Sequence, residues 1–178
     1  MIRSVVILGM KHCGKSTHGR LLAERLGCAF IDTDDVIESI YADTQGEKKS
    51  CREIYREHGA KLFYDLECEA VASLAARADK RVVALGGGTA MHEELHPLIR
   101  KMGTVVYLAN DPEELYRRVI AGGVPPFLDP ADPHGSFLAQ HERREGAYCD
   151  LSDVRVDLHG LEIDEAQALL QMELGLNK

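Results

Sequence analysis

Ser4-Val5-Val6-Ile7-Leu8-Gly9-Met10-Lys11-His12-Cys13-Gly14-Lys15-Ser16-Thr17 is the stretch that decides the fold. Its opening residues, Ser4 to Leu8, form a short β-branched apolar run that reads as a buried strand. From Gly9 onward it satisfies the phosphate-loop spacing G-x-x-x-x-G-K-[ST]. A loop of this kind works because a strand delivers the backbone into a tight turn whose N–H groups converge on phosphate oxygens. The helix that follows adds the positive end of its dipole. The glycines permit the dihedrals and the close approach. Lys15 is placed to bridge β- and γ-phosphates, and the Ser16 hydroxyl to ligate Mg²⁺. A chance match arises in roughly one chain of this length per hundred to two hundred, and here the match lies between a predicted strand and a predicted helix. The stretch predicts a bound nucleotide.

Outward from the loop, strand and helix alternate, which predicts a parallel sheet covered on both faces. Leu21, Leu22 and Leu26 fall at helical spacing, and Gly27 sits where a glycine ends a helix. Ala29-Phe30-Ile31 reads as the second strand and leads into Asp32, Asp34 and Asp35. Ser50 with Glu53 is a capping box opening a helix that Gly59 breaks, and residues 60–78 continue as helix. Arg81 to Leu85 is a third strand running into Gly86-Gly87-Gly88. A helix follows near 93–101, then a fourth strand, Thr104 to Leu108. Asp111 and Pro112 cap the next helix, which carries Arg117 and Arg118. Between Gly122 and Gly135, three glycines and four prolines without periodicity predict a lid loop at about 122–136. A helix at 136–146, a strand at Val154 to Leu158 and a helix from about Glu162 complete the pattern. No repeat or linker divides the chain, so residues 1–178 read as one domain.

Composition narrows the function classes. With 21 basic and 29 acidic side chains the net charge is −8, against the basic excess that phosphate contacts demand of a duplex-binding protein. No apolar run approaches the ~18 residues of a membrane span. Val5 to Leu8 is too short for a signal peptide. Five cysteines without a C-x-x-C pair argue against a disulfide scaffold and for a reducing compartment. The expectation is a cytoplasmic protein with a small-molecule partner and neither nucleic acid nor membrane.

Two further features lie at predicted strand ends, where open α/β sheets bind ligands. In Asp32-Thr33-Asp34, one carboxylate can hold Mg²⁺ through water while another orients or deprotonates an attacking hydroxyl. The competing reading is that Asp34 or Asp35 caps the helix containing Val36 and Ile37. Gly86-Gly87-Gly88 exposes backbone N–H groups against which substrate oxygens could lie, although a bare turn also explains it. A third pattern, His92-Glu93-Glu94-Leu95-His96, matches the zinc-hydrolase spacing H-E-x-x-H. Pro97 pushes His96 away from helical geometry, so the second histidine is expected at a break and the zinc reading fails.

With these features placed, the chain resembles the shikimate kinases, small ATP-dependent enzymes that phosphorylate a hydroxyl of shikimate. The resemblance spans nearly the whole length. It rests on Gly9–Thr17 leading into residues 22–27, on Phe30-Ile31-Asp32-Thr33-Asp34, on Leu85-Gly86-Gly87-Gly88, on Val105-Val106-Tyr107-Leu108, and on Arg144 followed by Tyr148. It implies a five-stranded parallel sheet of order 2-3-1-4-5 with a mobile lid, a monomer, and a place in aromatic amino acid biosynthesis. ATP and Mg²⁺ are the implied cofactors. The implied nucleotide-binding residues are Gly9, Lys11, His12, Cys13, Gly14, Lys15, Ser16 and Thr17, with Arg118 near the adenine. Asp34 would contact the acceptor hydroxyl, with Ser16 and Asp32 on magnesium. Tyr64, Gly86, Gly87, Gly88 and Arg144 would line the substrate, Arg144 on its carboxylate. Lys15, Asp34 and Arg144 are the implied catalytic residues.

Two departures bear on the acceptor. The family's Phe-Arg-x-x-Glu segment reads Phe63-Tyr64-Asp65-Leu66-Glu67, so a tyrosine replaces the first carboxylate-binding arginine. The lid motif Arg-Pro-Leu-Leu reads Pro125-Pro126-Phe127-Leu128, so a proline replaces the lid arginine. A charge-assisted hydrogen bond contributes about 1.5–3 kcal/mol, so the first change alone predicts roughly 10–150-fold weaker carboxylate binding. Lys11, at a loop position where the family carries no cation, and Lys61, one helical turn before Tyr64, are candidates for compensation. Shikimate is the favoured acceptor. A kinase for another small hydroxy acid or amino acid, such as gluconate or homoserine, and a non-catalytic nucleotide-binding homologue are the alternatives.

Overall fold

The structure is a computed structural model and describes residues 4–125 and 127–176. Its strands are β1 (Ser4–Leu8), β2 (Ala29–Asp32), β3 (Arg81–Ala84), β4 (Gly103–Ala109) and β5 (Val154–Asp157). All pair in parallel in the order β2-β3-β1-β4-β5, the order the family resemblance implies. β1 is central: Val5 lies between Val82 and Thr104, and Val6 between Val83 and Val105. Every residue of β1 and β3 is buried, which is why, after Ser4 and Arg81 at their starts, these strands read as continuous apolar runs rather than alternating ones. The edge strands β2 and β5 are partly open.

The helices are α1 (Lys15–Leu26), α2 (Thr33–Gln45), α3 (Cys51–Ala75), α4 (His96–Met102), α5 (Pro112–Ile120), α6 (Pro133–Leu151) and α7 (Ile163–Glu173). α1 packs with α7 and α3 with α4, giving a helical layer on each face of the sheet. Gly27 ends α1 in the left-handed conformation (φ 60°, ψ 41°). The Ser50–Glu53 capping box is formed, with the Ser50 amide donating to Glu53 Oε2 at 2.9 Å. Gly59 (φ 78°, ψ −177°) breaks the helical geometry inside α3 without ending the element.

Three expectations need adjusting. The helix expected at 93–101 is a 3-10 turn at Glu93–Leu95 followed by α4, so regular helix starts only at His96. His96 itself is helical (φ −55°, ψ −42°) although Pro97 follows; the break lies at His92 (φ −97°, ψ 89°). The loop expected as a lid at about 122–136 is shorter than that, because Asp132 caps α6 through the Gly135 amide at 2.9 Å and residues 133–136 are helix. Among the described residues no helix is long and apolar enough to cross a membrane.

The main core surrounds the sheet, and a second, smaller cluster of Ile37, Tyr41, Ile54, Leu66 and Ala70 lies between α2 and α3. Because all strands run the same way, the segments after β1, β2 and β3 meet at one edge of the sheet.

Candidate active site

The loop after β1 is shaped by positions where a side chain cannot fit. Gly9 has φ 147°, and a Cβ there would lie 2.6 Å from the Leu108 carbonyl oxygen and 2.9 Å from Cys13 Sγ. Gly14 (φ 98°) turns the chain into α1. Between them His12 adopts φ 64°, a left-handed backbone costly for a side-chain-bearing residue. Partial burial, then the charges of Lys11, Lys15 and Arg118, hold the His12 imidazole below its usual pKa, so it stays neutral among cations. Lys15 folds back over the loop, its Nζ donating to the Gly9 and Met10 carbonyls at 2.8 and 2.9 Å. Loop amides, the α1 dipole and this ammonium together make a cationic seat for a polyphosphate.

The end of β2 closes one side of that seat. Ser16 Oγ donates to Asp32 Oδ2 at 2.9 Å, while Asp32 Oδ1 accepts the Asp34 amide at 3.2 Å and caps α2. The cap is therefore Asp32, not Asp34 or Asp35, and Asp34 is left free to face the cavity. Desolvation, then the Asp32 charge, raises the Asp34 carboxyl above its ordinary range, with Lys15 opposing the shift. Thr33 Oγ1 accepts the Gly86 amide at 2.8 Å, tying this acid segment to the glycine triplet.

The triplet is a cradle. A Cβ on Gly86 would stand 3.1 Å from Thr89 Oγ1 and 3.3 Å from Asp34 Oδ1. A Cβ on Gly87 would stand 3.5 Å from Arg144 Nη1, 3.6 Å from the Gly9 carbonyl oxygen and 3.7 Å from the Lys11 amide nitrogen. Tyr148, one turn beyond Arg144 on α6, donates to the Gly87 carbonyl at 2.6 Å and fixes the triplet against the helix. Arg144 Nε is buried without a hydrogen-bond partner, so that guanidinium has unused capacity.

These elements enclose a cavity of about 670 Å³ lined by Lys11, His12, Gly14, Lys15, Ser16, Thr17, Asp32, Asp34, Gly86, Gly87, Gly88, Arg118 and Arg144. Arg118, on α5, donates to the His12 carbonyl at 3.2 Å and pairs with Glu114. Three expected residues are not in the lining. Gly9 and Cys13 lie beneath the loop, Cys13 fully buried. Tyr64 points elsewhere: its hydroxyl donates to Glu94, and its ring packs on His92 with centroids 4.7 Å apart. Hydrogen bonding to Cys68 and Glu94 pushes the Tyr64 hydroxyl well above its ordinary range, so it stays protonated. Lys61 is bridged to Asp65 at 3.1 Å and its side chain is 88% exposed.

Phe127, Phe137 and Gln140 also line the cavity; Phe127 enters the sequence reading only as part of the lid segment, and Phe137 and Gln140 are absent from it. Gln140 could have been found, since it precedes Arg144 by one helical turn and shares its face. The H-E-x-x-H residues form no metal centre: His92 Nε2 faces Glu67 at 3.4 Å and His96 Nε2 bonds the Ala90 carbonyl at 2.8 Å. Among the described residues no group of three or more metal-ligating side chains gathers anywhere.

A seat for a triphosphate thus shares one cavity with an acid set to face a hydroxyl, which defines an ATP-dependent kinase of the P-loop class acting on small molecules. The sequence model of one family, described as shikimate kinase, matches residues 11–172. A shikimate kinase from Geobacter metallireducens is 36% identical over 167 residues, 94% of this chain and 89% of the relative. One from Symbiobacterium thermophilum is 36% identical over 155 residues, covering 86% and 85%. The solved shikimate kinase from Acinetobacter baumannii in complex with shikimate superimposes with a TM-score of 0.82 at 26% identity, over 98% of this chain and 94% of that one. The chain belongs to the shikimate kinase family.

Proposed function

We propose that the protein transfers the γ-phosphoryl group of ATP to a hydroxyl of shikimate, giving shikimate 3-phosphate and ADP. The observation that carries this reading is the shared cavity, in which Asp34, the glycine triplet and Arg144 face the phosphate loop. The acceptor hydroxyl oxygen forms its bond to the γ-phosphorus as the bond from that phosphorus to the bridging oxygen of ADP breaks. Asp34 accepts the hydroxyl hydrogen, and its raised pKa makes it a better base than an ordinary carboxylate. Lys15 and the loop amides follow the charge on the phosphoryl oxygens, and Arg144 holds the acceptor carboxylate with the fork its free Nε leaves available. Catalysis is then positioning plus charge neutralisation.

The hydroxyl–carboxylate pair of Ser16 and Asp32 is an all-oxygen donor set that suits Mg²⁺. When bound there, the ion would supply positive charge to neutralise the phosphate oxygens during transfer. The working unit is a single domain over residues 1–178, monomeric and cytoplasmic, in aromatic amino acid biosynthesis. Neither nucleic acid nor membrane takes part. Steady-state assay of ADP release with shikimate, with the product identified by phosphorus NMR, tests the acceptor. ATP binding without turnover on shikimate would overturn it in favour of another hydroxy acid, such as gluconate, or homoserine. Sedimentation checks the monomer.

A further inference from the structure

The helix that in the family's motif carries a carboxylate-binding arginine offers the cavity no cation in this chain. Tyr64 is turned to Glu94 and His92, and Lys61 is spent on Asp65 in solvent. Glu94 makes that side of the site worse than neutral for an acid, since a carboxylate approaching Tyr64 meets a like charge. Arg144 alone would then hold the substrate's carboxylate.

We propose that Lys11 is the second cation for that carboxylate, so that the acid is gripped across Gly87 between Lys11 on the phosphate loop and Arg144 on α6. Lys11 lines the cavity, and its ammonium makes no ion pair or hydrogen bond among the described residues. The backbone of Lys11 and the guanidinium of Arg144 approach the same point above Gly87, 3.7 and 3.5 Å from where a Cβ would be. Because Gly87 has no side chain, the space between the Lys11 backbone and the Arg144 guanidinium is open, and a carboxylate resting on the Gly87 backbone would lie beside Arg144 and within reach of the Lys11 side chain rooted opposite. The flexible four-carbon stem of lysine lets its ammonium meet such a group as a point charge, without the fixed fork an arginine would need. Recognition of the acid has moved from α3 to the loop that also holds the nucleotide.

This inference rests on shikimate being the acceptor, and the experiment separates the two. Lys11→Met is compared with the native enzyme on shikimate and on its uncharged carboxamide. The expected result is a rise of tenfold or more in the KM for shikimate and little change for the carboxamide. The KM for ATP should stay within about twofold. Lys11→Arg should recover most of the preference for the acid. The side chain is exposed, so the variant folds, which a thermal melt checks. An unchanged preference for the acid over the carboxamide in Lys11→Met overturns the inference and leaves the shikimate reading standing. A raised ATP KM with the preference intact also overturns it, assigning Lys11 to phosphate. A native enzyme inactive on shikimate overturns both.

Discussion

The nucleotide end of the cavity is closed by the tight loop after β1, the acceptor end adds the charged side chains of Asp34 and Arg144 to the glycine triplet, and the two differ in how far they follow the family. At the nucleotide end, Gly9 and Gly14 hold conformations no other residue accepts easily, and Lys15 is bonded to carbonyls of its own loop. The spacing G-x-x-x-x-G-K-[ST] is complete there. At the acceptor end, Tyr64 and Pro125 stand where the resembled family has arginines, and the fold accommodates both. Charge aimed at a substrate can be supplied from more than one direction. A ring of amides closing on phosphate cannot.

Substitutions at both ends test that contrast. The largest effect is expected at the nucleotide end: Lys15→Ala should lower turnover by a thousandfold or more, on the order of what lost phosphoryl-charge stabilisation costs, and weaken ATP binding by calorimetry while the fold melts cooperatively. Unchanged affinity and rate would break the nucleotide assignment. Asp34→Asn should lower kcat by about 10²–10⁴ with ATP affinity preserved. Near-normal turnover there would reduce Asp34 to a bystander.

The raised pKa of Asp34 has a further consequence with a definite sign. Between the ordinary carboxylate range and the raised folded value, the native state binds more protons than the unfolded one, so this group's contribution to stability falls as pH rises through that window. Asp34→Asn should therefore melt higher than the native protein near neutrality, with the advantage fading in acid; a lower Tm at neutral pH would contradict the shift. The acid limb of kcat/KM should lie above that of an ordinary carboxylate for the same reason.

Smaller effects belong to the two departed arginines. Pro125→Arg should raise kcat by about tenfold, because its target is charge on the transferring phosphate, and leave the shikimate KM alone. Tyr64→Arg is expected to improve the shikimate KM only a few-fold, since Glu94 lies ready to capture the new guanidinium. Adding Glu94→Ala should release the rest, to about tenfold or more. If the single variant alone gave the full gain, Glu94 would not be controlling that side of the site.

Much of this was legible from residue order because the informative features are local. Gly9 to Thr17 states its own geometry, and the Ser50–Glu53 box and the Gly59 interruption are read from spacings of a few residues. The strand order came from the family resemblance, since alternation alone implies a parallel sheet but not which strand is central. What escaped depends on partners distant in sequence. Tyr64 is drawn out of the cavity by Glu94, thirty residues on, and no periodicity announces that pairing. Asp32 caps α2 while Asp34 does not, because Asp32 lies at the strand end where its second oxygen also reaches Ser16. The position of His96 ran against the usual effect of a following proline, since α4 begins there and leaves the preceding turn free to bend.

Asp32 divides its two oxygens between Ser16 on the nucleotide side and the Asp34 amide on the acceptor side. One carboxylate is thus hydrogen-bonded to both half-sites, so a displacement of Asp32 by bound phosphates would bear on the Asp34 backbone. Any linkage carried this way would be symmetric: whatever factor bound nucleotide applied to acceptor affinity, bound acceptor would apply to nucleotide affinity.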